Sequence, residues 1–248
     1  MRLQGKSAIV TGAASGFGEG IARRFAAEGA WVICADRDAA GAARVAEEIG
    51  GTPMGGDVTR EADVQALVAK AAEEFGGLDI VVNNAGTTHR KKPILEVTEA
   101  EFDQVYAVNV RSLFWMVRAA VPVMRRQGRG GSIINISSTA GQRPRPGLTW
   151  YNSTKGAVNT ATQAMAQEFA GDNIRVNAVC PVIGATGLLE QFMGGPDTPE
   201  MRQKFVASIP LGRMSTPADI ANACVWLGED ASSFITGILL PVDGGRSA

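Results

Sequence analysis

The sequence predicts an α/β protein built on an open, doubly wound parallel sheet. Short β-branched or apolar runs alternate with amphipathic stretches along the whole chain, and several of those runs lack polar alternation, as strands buried on both faces do. No repeat, low-complexity tract or linker interrupts the 248 residues, so residues 1–248 are expected to form one domain.

Strand-like runs lie at 7–10, 31–35, 80–82, 132–136, 175–179 and 238–242, and a further strand before Asp57 brings the expected sheet to about seven. Amphipathic periodicity predicts helices over 16–28, 39–49, 61–75, 99–126, 151–169 and 217–227, which cover both sheet faces. Thr216 before Pro217 reads as a helix N-cap followed by proline at the first helical position. The stretch 185–214 breaks this rhythm: Gly194, Gly195, Pro196, Pro199 and Pro210 surround a helical segment at 200–207. An insertion there, before the last strand and at the C-terminal end of the sheet, would overhang the ligand crevice as a substrate lid, although a passive connector has the same composition.

Hydrophobic content of 45% and charged content of 20% are those of a folded protein, and a net charge of -1 provides no general attraction to nucleic acid or anionic membrane. No apolar run approaches the roughly 20 residues that span a bilayer. The first residues enter a strand without a leader pattern. Cys34, Cys180 and Cys224 are odd in number and widely separated, which fits structural thiols in a reducing cytoplasm and gives no metal-ligand spacing.

The first strand runs into Thr11-Gly12-Ala13-Ala14-Ser15-Gly16-Phe17-Gly18, with a helix following. In such a turn Gly12 changes the chain direction, Gly16 lets backbone approach a pyrophosphate, and Gly18 allows close helix–strand packing. Ser15 and Phe17 belong to the same expected contact. The helix N-terminus offers N–H groups and partial positive charge to phosphates. Asp36 ends the second strand, where a carboxylate accepts hydrogen bonds from both ribose hydroxyls and repels a 2′-phosphate. NAD is therefore favoured over NADP, although Arg37 is a phosphate-binding type of side chain and Asp36 also fits a helix cap. Asp57 and Val58, after the third strand, stand where a carboxylate and a backbone N–H meet an adenine edge. Tyr151 and Lys155, four residues apart, share one face of a helix. A phenol beside an ammonium ionises more readily, which makes Tyr151 a candidate acid/base, while the spacing alone also fits an ordinary surface pair.

Thr11-Gly12-x-x-x-Gly16-x-Gly18, Asn83-Asn84-Ala85-Gly86, Asn109 between valines, Ser138 thirteen residues before Tyr151, and Tyr151-x-x-x-Lys155 occur in one order. In that order the sequence resembles the short-chain dehydrogenase/reductase family over its whole length. The resemblance implies a Rossmann fold, an NAD(P)-dependent oxidoreductase with no metal, and a homotetramer joined through helices 99–126 and 151–169 and the C-terminal strand. It also implies that Tyr151 exchanges a proton with the substrate oxygen, that Ser138 hydrogen-bonds that oxygen, and that Lys155 holds the nicotinamide ribose and lowers the Tyr151 pKa. Asn109 would position a proton-relaying water, unless it merely kinks its helix or bonds within the core. Asn84, Ala85 and Gly86 would pass close to the adenine ribose. Backbone at Pro181, Val182 and Ile183, with the Thr186 hydroxyl, would hold the nicotinamide amide, but Val182 stands where the family usually has glycine.

The expected activity is NAD(H)-dependent interconversion of a secondary alcohol and a ketone, the substrate being a sugar, a hydroxy acid or a cyclic alcohol. 3-Oxoacyl-[acyl-carrier-protein] reduction is the alternative enzyme, and a catalytically inactive NAD-binding sensor the alternative outside enzymology. Two basic segments, His89-Arg90-Lys91-Lys92 and Arg143-Pro144-Arg145, leave strand ends. They are either a clamp for an anionic small-molecule substrate or a solvated rim. His89 is the single histidine, and no GxSxG elbow accompanies it, which argues against a serine hydrolase.

Overall fold

The structure, a computed structural model, describes residues 1–184 and 186–248. Seven parallel strands form one sheet: β1 (Ser7–Thr11), β2 (Trp31–Asp36), β3 (Thr52–Gly55), β4 (Ile80–Asn83), β5 (Gly131–Ile136), β6 (Ile174–Pro181) and β7 (Leu239–Val242), in the order β3-β2-β1-β4-β5-β6-β7. This is the doubly wound Rossmann arrangement predicted, and its strand order reverses between β1 and β4. Successive β1 residues point to opposite faces: Ala8 and Val10 join one apolar cluster, and Ile9 joins the other.

On the first face lie α1 (Gly16–Ala27), α2 (Ala39–Ile49) and α9 (Pro217–Gly228), which bury Phe25, Val45 and Val225. On the second lie α3 (Glu61–Phe75), α5 (Ser112–Gln127) and α6 (Thr149–Glu168), which bury Val68, Met124 and Ala166. Clusters on both faces explain why the central strands read as continuous apolar runs.

Helix 99–126 is not continuous. It divides into α4 (Glu99–Tyr106), a π-helical turn at Ala107–Arg111 and α5. The α4 start is set by Thr98, whose hydroxyl accepts from the Glu101 N–H while the Glu101 carboxylate accepts from the Thr98 N–H. Thr216 and Asp219 form the same reciprocal cap at α9, with Pro217 in the first turn as predicted. Helix α6 begins two residues before the predicted start, at Thr149.

The predicted lid begins at Ala185, which lies outside the described residues. Beyond it the structure adds a short helix the periodicity does not reveal, α7 (Leu189–Met193), and then α8 (Pro199–Val206) close to the predicted segment. Among the described residues, no helix is long and apolar enough to cross a membrane.

Candidate active site

The C-terminal ends of the strands open onto a cleft of about 530 Å³. At its β1 end the chain must turn within a few residues. Gly12 has φ +67°, and a Cβ there would lie 2.8 Å from the Asn84 amide nitrogen. Gly18 is buried behind the turn, where a Cβ would come within 2.0 Å of the Gly12 carbonyl oxygen. Both positions therefore require glycine. Asn84 secures the turn by donating to the carbonyls of Thr11 (2.8 Å) and Gly12 (3.2 Å). Gly12, Ser15, Gly16 and Phe17 line the cleft, and the Ser15 hydroxyl makes no bond back to α1. The first turn of α1 thus opens toward the cleft.

Asp36 reaches the cleft from the end of β2. One carboxylate oxygen accepts from the Ala14 N–H (3.0 Å) and the other from the Asp38 N–H (2.9 Å). The cap of α2 is Asp38, not Asp36, since Asp38 accepts from the Gly41 N–H. Arg37 is exposed on the same rim. Asp57 Oδ1 accepts from both the backbone N–H and the hydroxyl of Thr59, and Asp57 lines the cleft beside Val58. Asn84, Ala85 and Gly86 continue the wall, followed across the sheet by Ser138, Tyr151, Lys155, Pro181, Val182, Ile183 and Thr186.

Val182 is no obstacle to its turn. Among the described residues the one non-glycine with positive φ is Asn173, so position 182 needs no left-handed residue. A cradle that Cβ atoms would fill, an open helix N-terminus and a ribose-height carboxylate fit a dinucleotide in extended form.

At the β5–β6 end stand the groups of chemical interest. The Ser138 oxygen accepts from the Ala140 N–H at 3.0 Å, an arrangement that leaves its O–H free to donate into the cleft. Tyr151 and Lys155 are both buried on α6, with the Lys155 Nζ 5.7 Å from the Tyr151 ring centroid. Nζ donates to the Ile136 carbonyl at 2.8 Å.

Burial pushes the Tyr151 phenol up to about 12, against the opposing influence of the Ser138 hydroxyl and the Arg145 charge. Burial likewise pulls the Lys155 ammonium down to about 8. Desolvation thus disfavours the charged form of each group, and in the ligand-free cleft it sets the direction for both.

Asn109 does not reach the cleft. It sits in the π turn, accepts from the Thr87 N–H (2.9 Å), and donates to the Thr87 carbonyl (2.9 Å) and the Thr154 hydroxyl (3.0 Å). With Lys155, Asn83, Asn135 and Ser112 it lines a separate buried cavity of about 10 Å³, close to the space of one water.

Of the basic segments, Arg145 alone lines the cleft. His89 is buried with Nδ1 3.0 Å from the Arg90 carbonyl, Arg90 donates to the Gly194 carbonyl, Lys92 pairs with Glu101, and Arg143 donates to the Arg246 carbonyl. Sequence reasoning missed the lining residues Gln104 and Gln191. It also missed Asn152, whose amide holds the Arg145 carbonyl at 2.7 Å. Neither glutamine lies in a motif, and Asn152 gives no periodic signal.

Comparison with known proteins agrees with this geometry. The family model described as Enoyl-(Acyl carrier protein) reductase matches residues 12–247. The chain is 51% identical to a 4-formylbenzenesulfonate dehydrogenase of Comamonas testosteroni, with 100% of each chain covered. It is 40% identical to a galactitol 2-dehydrogenase (L-tagatose-forming) of Cereibacter sphaeroides, over 98% of this chain and 96% of that one. Among solved structures it matches a 3-ketoacyl-(acyl-carrier-protein) reductase from Brucella melitensis complexed with NADH, at TM-score 0.94 and 47% identity, over 99% of this chain and 100% of that one.

Proposed function

This chain belongs to the short-chain dehydrogenase/reductase family of oxidoreductases, and from that premise we propose that it interconverts a secondary alcohol and a ketone with NAD(H). The observation that carries the reading is a single cleft with the glycine turn and Asp36 at one end and Ser138, Tyr151 and Lys155 at the other.

In this reading Gly12, Ser15, Gly16 and Phe17 hold the pyrophosphate at the α1 N-terminus, with Gly18 allowing α1 to pack close. Asp36 takes the adenosine ribose, with Arg37 on the rim beside it. Asp57 and Val58 take the adenine edge, and Asn84, Ala85 and Gly86 lie along the ribose. Pro181, Val182, Ile183 and Thr186, with Tyr151 and Lys155, hold the nicotinamide half. Asp36 favours NAD over NADP because its carboxylate repels a 2′-phosphate. The bound nicotinamide supplies the hydride chemistry.

The chain's own residues handle the proton. Ser138 donates to the substrate oxygen and stabilises the negative charge that develops on it. Tyr151, protonated at neutral pH, delivers its proton to that oxygen in the reducing direction. In the oxidising direction it must first lose the proton, which positive charge in the cleft assists. Lys155 anchors the nicotinamide ribose, and Asn109 holds a water in the small cavity beside Lys155 that relays protons outward. Residues 185–214 act as the substrate lid, whose Phe192 ring stands edge-on to Tyr151 at 5.0 Å. We place the protein in the cytoplasm, where its three buried, unpaired cysteines stay reduced, and expect a homotetramer.

3-Oxoacyl-carrier-protein reduction is the second enzymatic reading, favoured by the 47% identity to the Brucella reductase. Asp36 does not separate the two readings, since that reductase is itself complexed with NADH.

The test is NADH formation on secondary alcohols, sugars and hydroxy acids, with NADP⁺ and Tyr151→Phe in parallel. NAD⁺ should be preferred, and Tyr151→Phe should lower kcat about 10³-fold, within the usual range for a general acid/base, while retaining NADH binding. NADH binding without turnover on any compound would move the protein to the sensor reading.

A further inference from the structure

We propose that Arg145 anchors an anionic group of the substrate, a carboxylate or sulfonate, while the reacting oxygen sits at Ser138 and Tyr151. The proposal rests on the oxidoreductase reading above and deepens it to a substrate class.

Four observations converge on this residue. First, Arg145 lines the cleft, is partly buried, and makes no ion pair among the described residues. A half-desolvated guanidinium without a counter-ion is costly, and proteins keep one where an anion arrives to pair with it. Second, the carboxylates that line the cleft are Asp36, Asp38 and Asp57. Asp36 ends β2, and Asp38 and Asp57 follow β2 and β3, all on the far side of β1 from β5, so among the described residues the Tyr151 end of the cleft is lined by cations and no acid.

Third, the guanidinium is held by an aromatic ring. Its carbon lies 5.6 Å from the centroid of the Phe205 ring of α8, a cation–π contact that holds the side chain without supplying a counter-ion. Fourth, the backbone beneath it is stiff. Arg145 stands between Pro144 and Pro146, which restrict it to extended conformations. Asn152, the residue after Tyr151, donates to its carbonyl at 2.7 Å. The anchor and the acid are thus tied to the same turn of α6, so little order is lost when a substrate bridges them.

The walls between them set the rest of the specificity. Phe192, Leu188 and Val182 are apolar and Gln104 and Gln191 are neutral, which suits an apolar body, aromatic or aliphatic, joining the anion to the reacting carbon. A polyhydroxylated neutral sugar would leave Arg145 unpaired.

The experiment compares matched pairs with NAD⁺: mandelate against methyl mandelate, and para-(1-hydroxyethyl)benzoate against its methyl ester. Each is measured with the wild type, Arg145→Met, which keeps an apolar stem over Phe205, and Arg145→Lys. NADH binding is followed by fluorescence as the check on folding. The wild type should favour the anion in at least one pair by roughly 10- to 100-fold in kcat/KM, the size of a charge-assisted hydrogen-bonded pair. That ratio should collapse toward one in Arg145→Met and survive in part in Arg145→Lys, which keeps the charge without the fork.

A wild type that favours the esters overturns the proposal. So does a ratio unchanged in Arg145→Met with both members slowed alike, because Arg145 would then act only through the Tyr151 proton. If Arg145→Met fails to bind NADH, the wild-type preference and the Arg145→Lys ratio decide. Turnover of the neutral members alone removes the anchor and leaves the dehydrogenase reading standing. Absence of turnover with every compound, with NADH still bound, removes that reading and the anchor with it.

Discussion

The Tyr151 phenol lies against Phe192 in the cleft wall, and burial holds it near 12 although an ammonium stands 5.7 Å from its ring centroid. Lys155 is itself buried, with its charge directed at the Ile136 carbonyl, so it offers Tyr151 less than the sequence spacing suggests. The protein has two tyrosines, Tyr106 and Tyr151, which makes the point measurable. Phenolate absorbance of the ligand-free wild type minus that of Tyr151→Phe isolates one ionisation. At pH 10, where an ordinary tyrosine is half ionised, Tyr151 should remain protonated. A difference signal appearing near pH 7–8 would refute the direction. The sign carries over to stability: the folded chain keeps this proton above pH 10 while the unfolded chain releases it. The contribution of Tyr151 therefore falls as pH rises from 10 toward 12.

At the scale of elements, the π turn at Ala107–Arg111 exists in a register that lets a buried Asn109 bond both backbone groups of Thr87 and the Thr154 hydroxyl. It thereby clamps the segment after Gly86 to α6, which carries Lys155. Asn109→Ala removes three hydrogen bonds at once and leaves the part-buried Thr87 N–H and carbonyl without their Asn109 partners, while the Thr154 hydroxyl keeps its bond to the Tyr151 carbonyl. It should cost on the order of 3 kcal/mol in urea unfolding and lower kcat more than it raises the KM for NAD⁺. Unchanged stability would mean the clamp is not holding. The turn also marks the limit of what periodicity reveals. Apolar spacing continues through 99–126 without a visible break, and only the polar Asn109 among apolar neighbours hints at the turn. Strands with two buried faces, the glycine turn and the α9 cap were legible, since each is dictated by local chemistry. The fate of Arg90, Arg143 and Arg145 was not. Three arginines in adjacent loops read alike, and which of them faces the cleft depends on α6 and α8 packing across them.

At the scale of the whole molecule, two exposed aromatic rings mark the faces that the proposed subunit contacts would cover. Phe114 on α5 is 52% exposed with Arg118 lying over its ring, and Phe234, just before β7, is fully exposed. The neighbouring Trp115 buries an indole N–H without a partner. Exposed aromatic rings on α5 and ahead of β7 are what two separate subunit contacts would cover, consistent with the proposed homotetramer. Light scattering should give about four times the 26.0 kDa chain mass, a closed assembly of the kind two such contacts generate. Phe114→Glu adds a charge to the α5 face and should reduce the mass to smaller species. Because α5 follows directly from the Asn109 turn and packs on the sheet beside α6, losing its cover should loosen the segment that supports Lys155. Activity per chain should then fall several-fold in step with dissociation. A stable, fully active monomer, of wild type or variant, would remove both the tetramer and its link to the site.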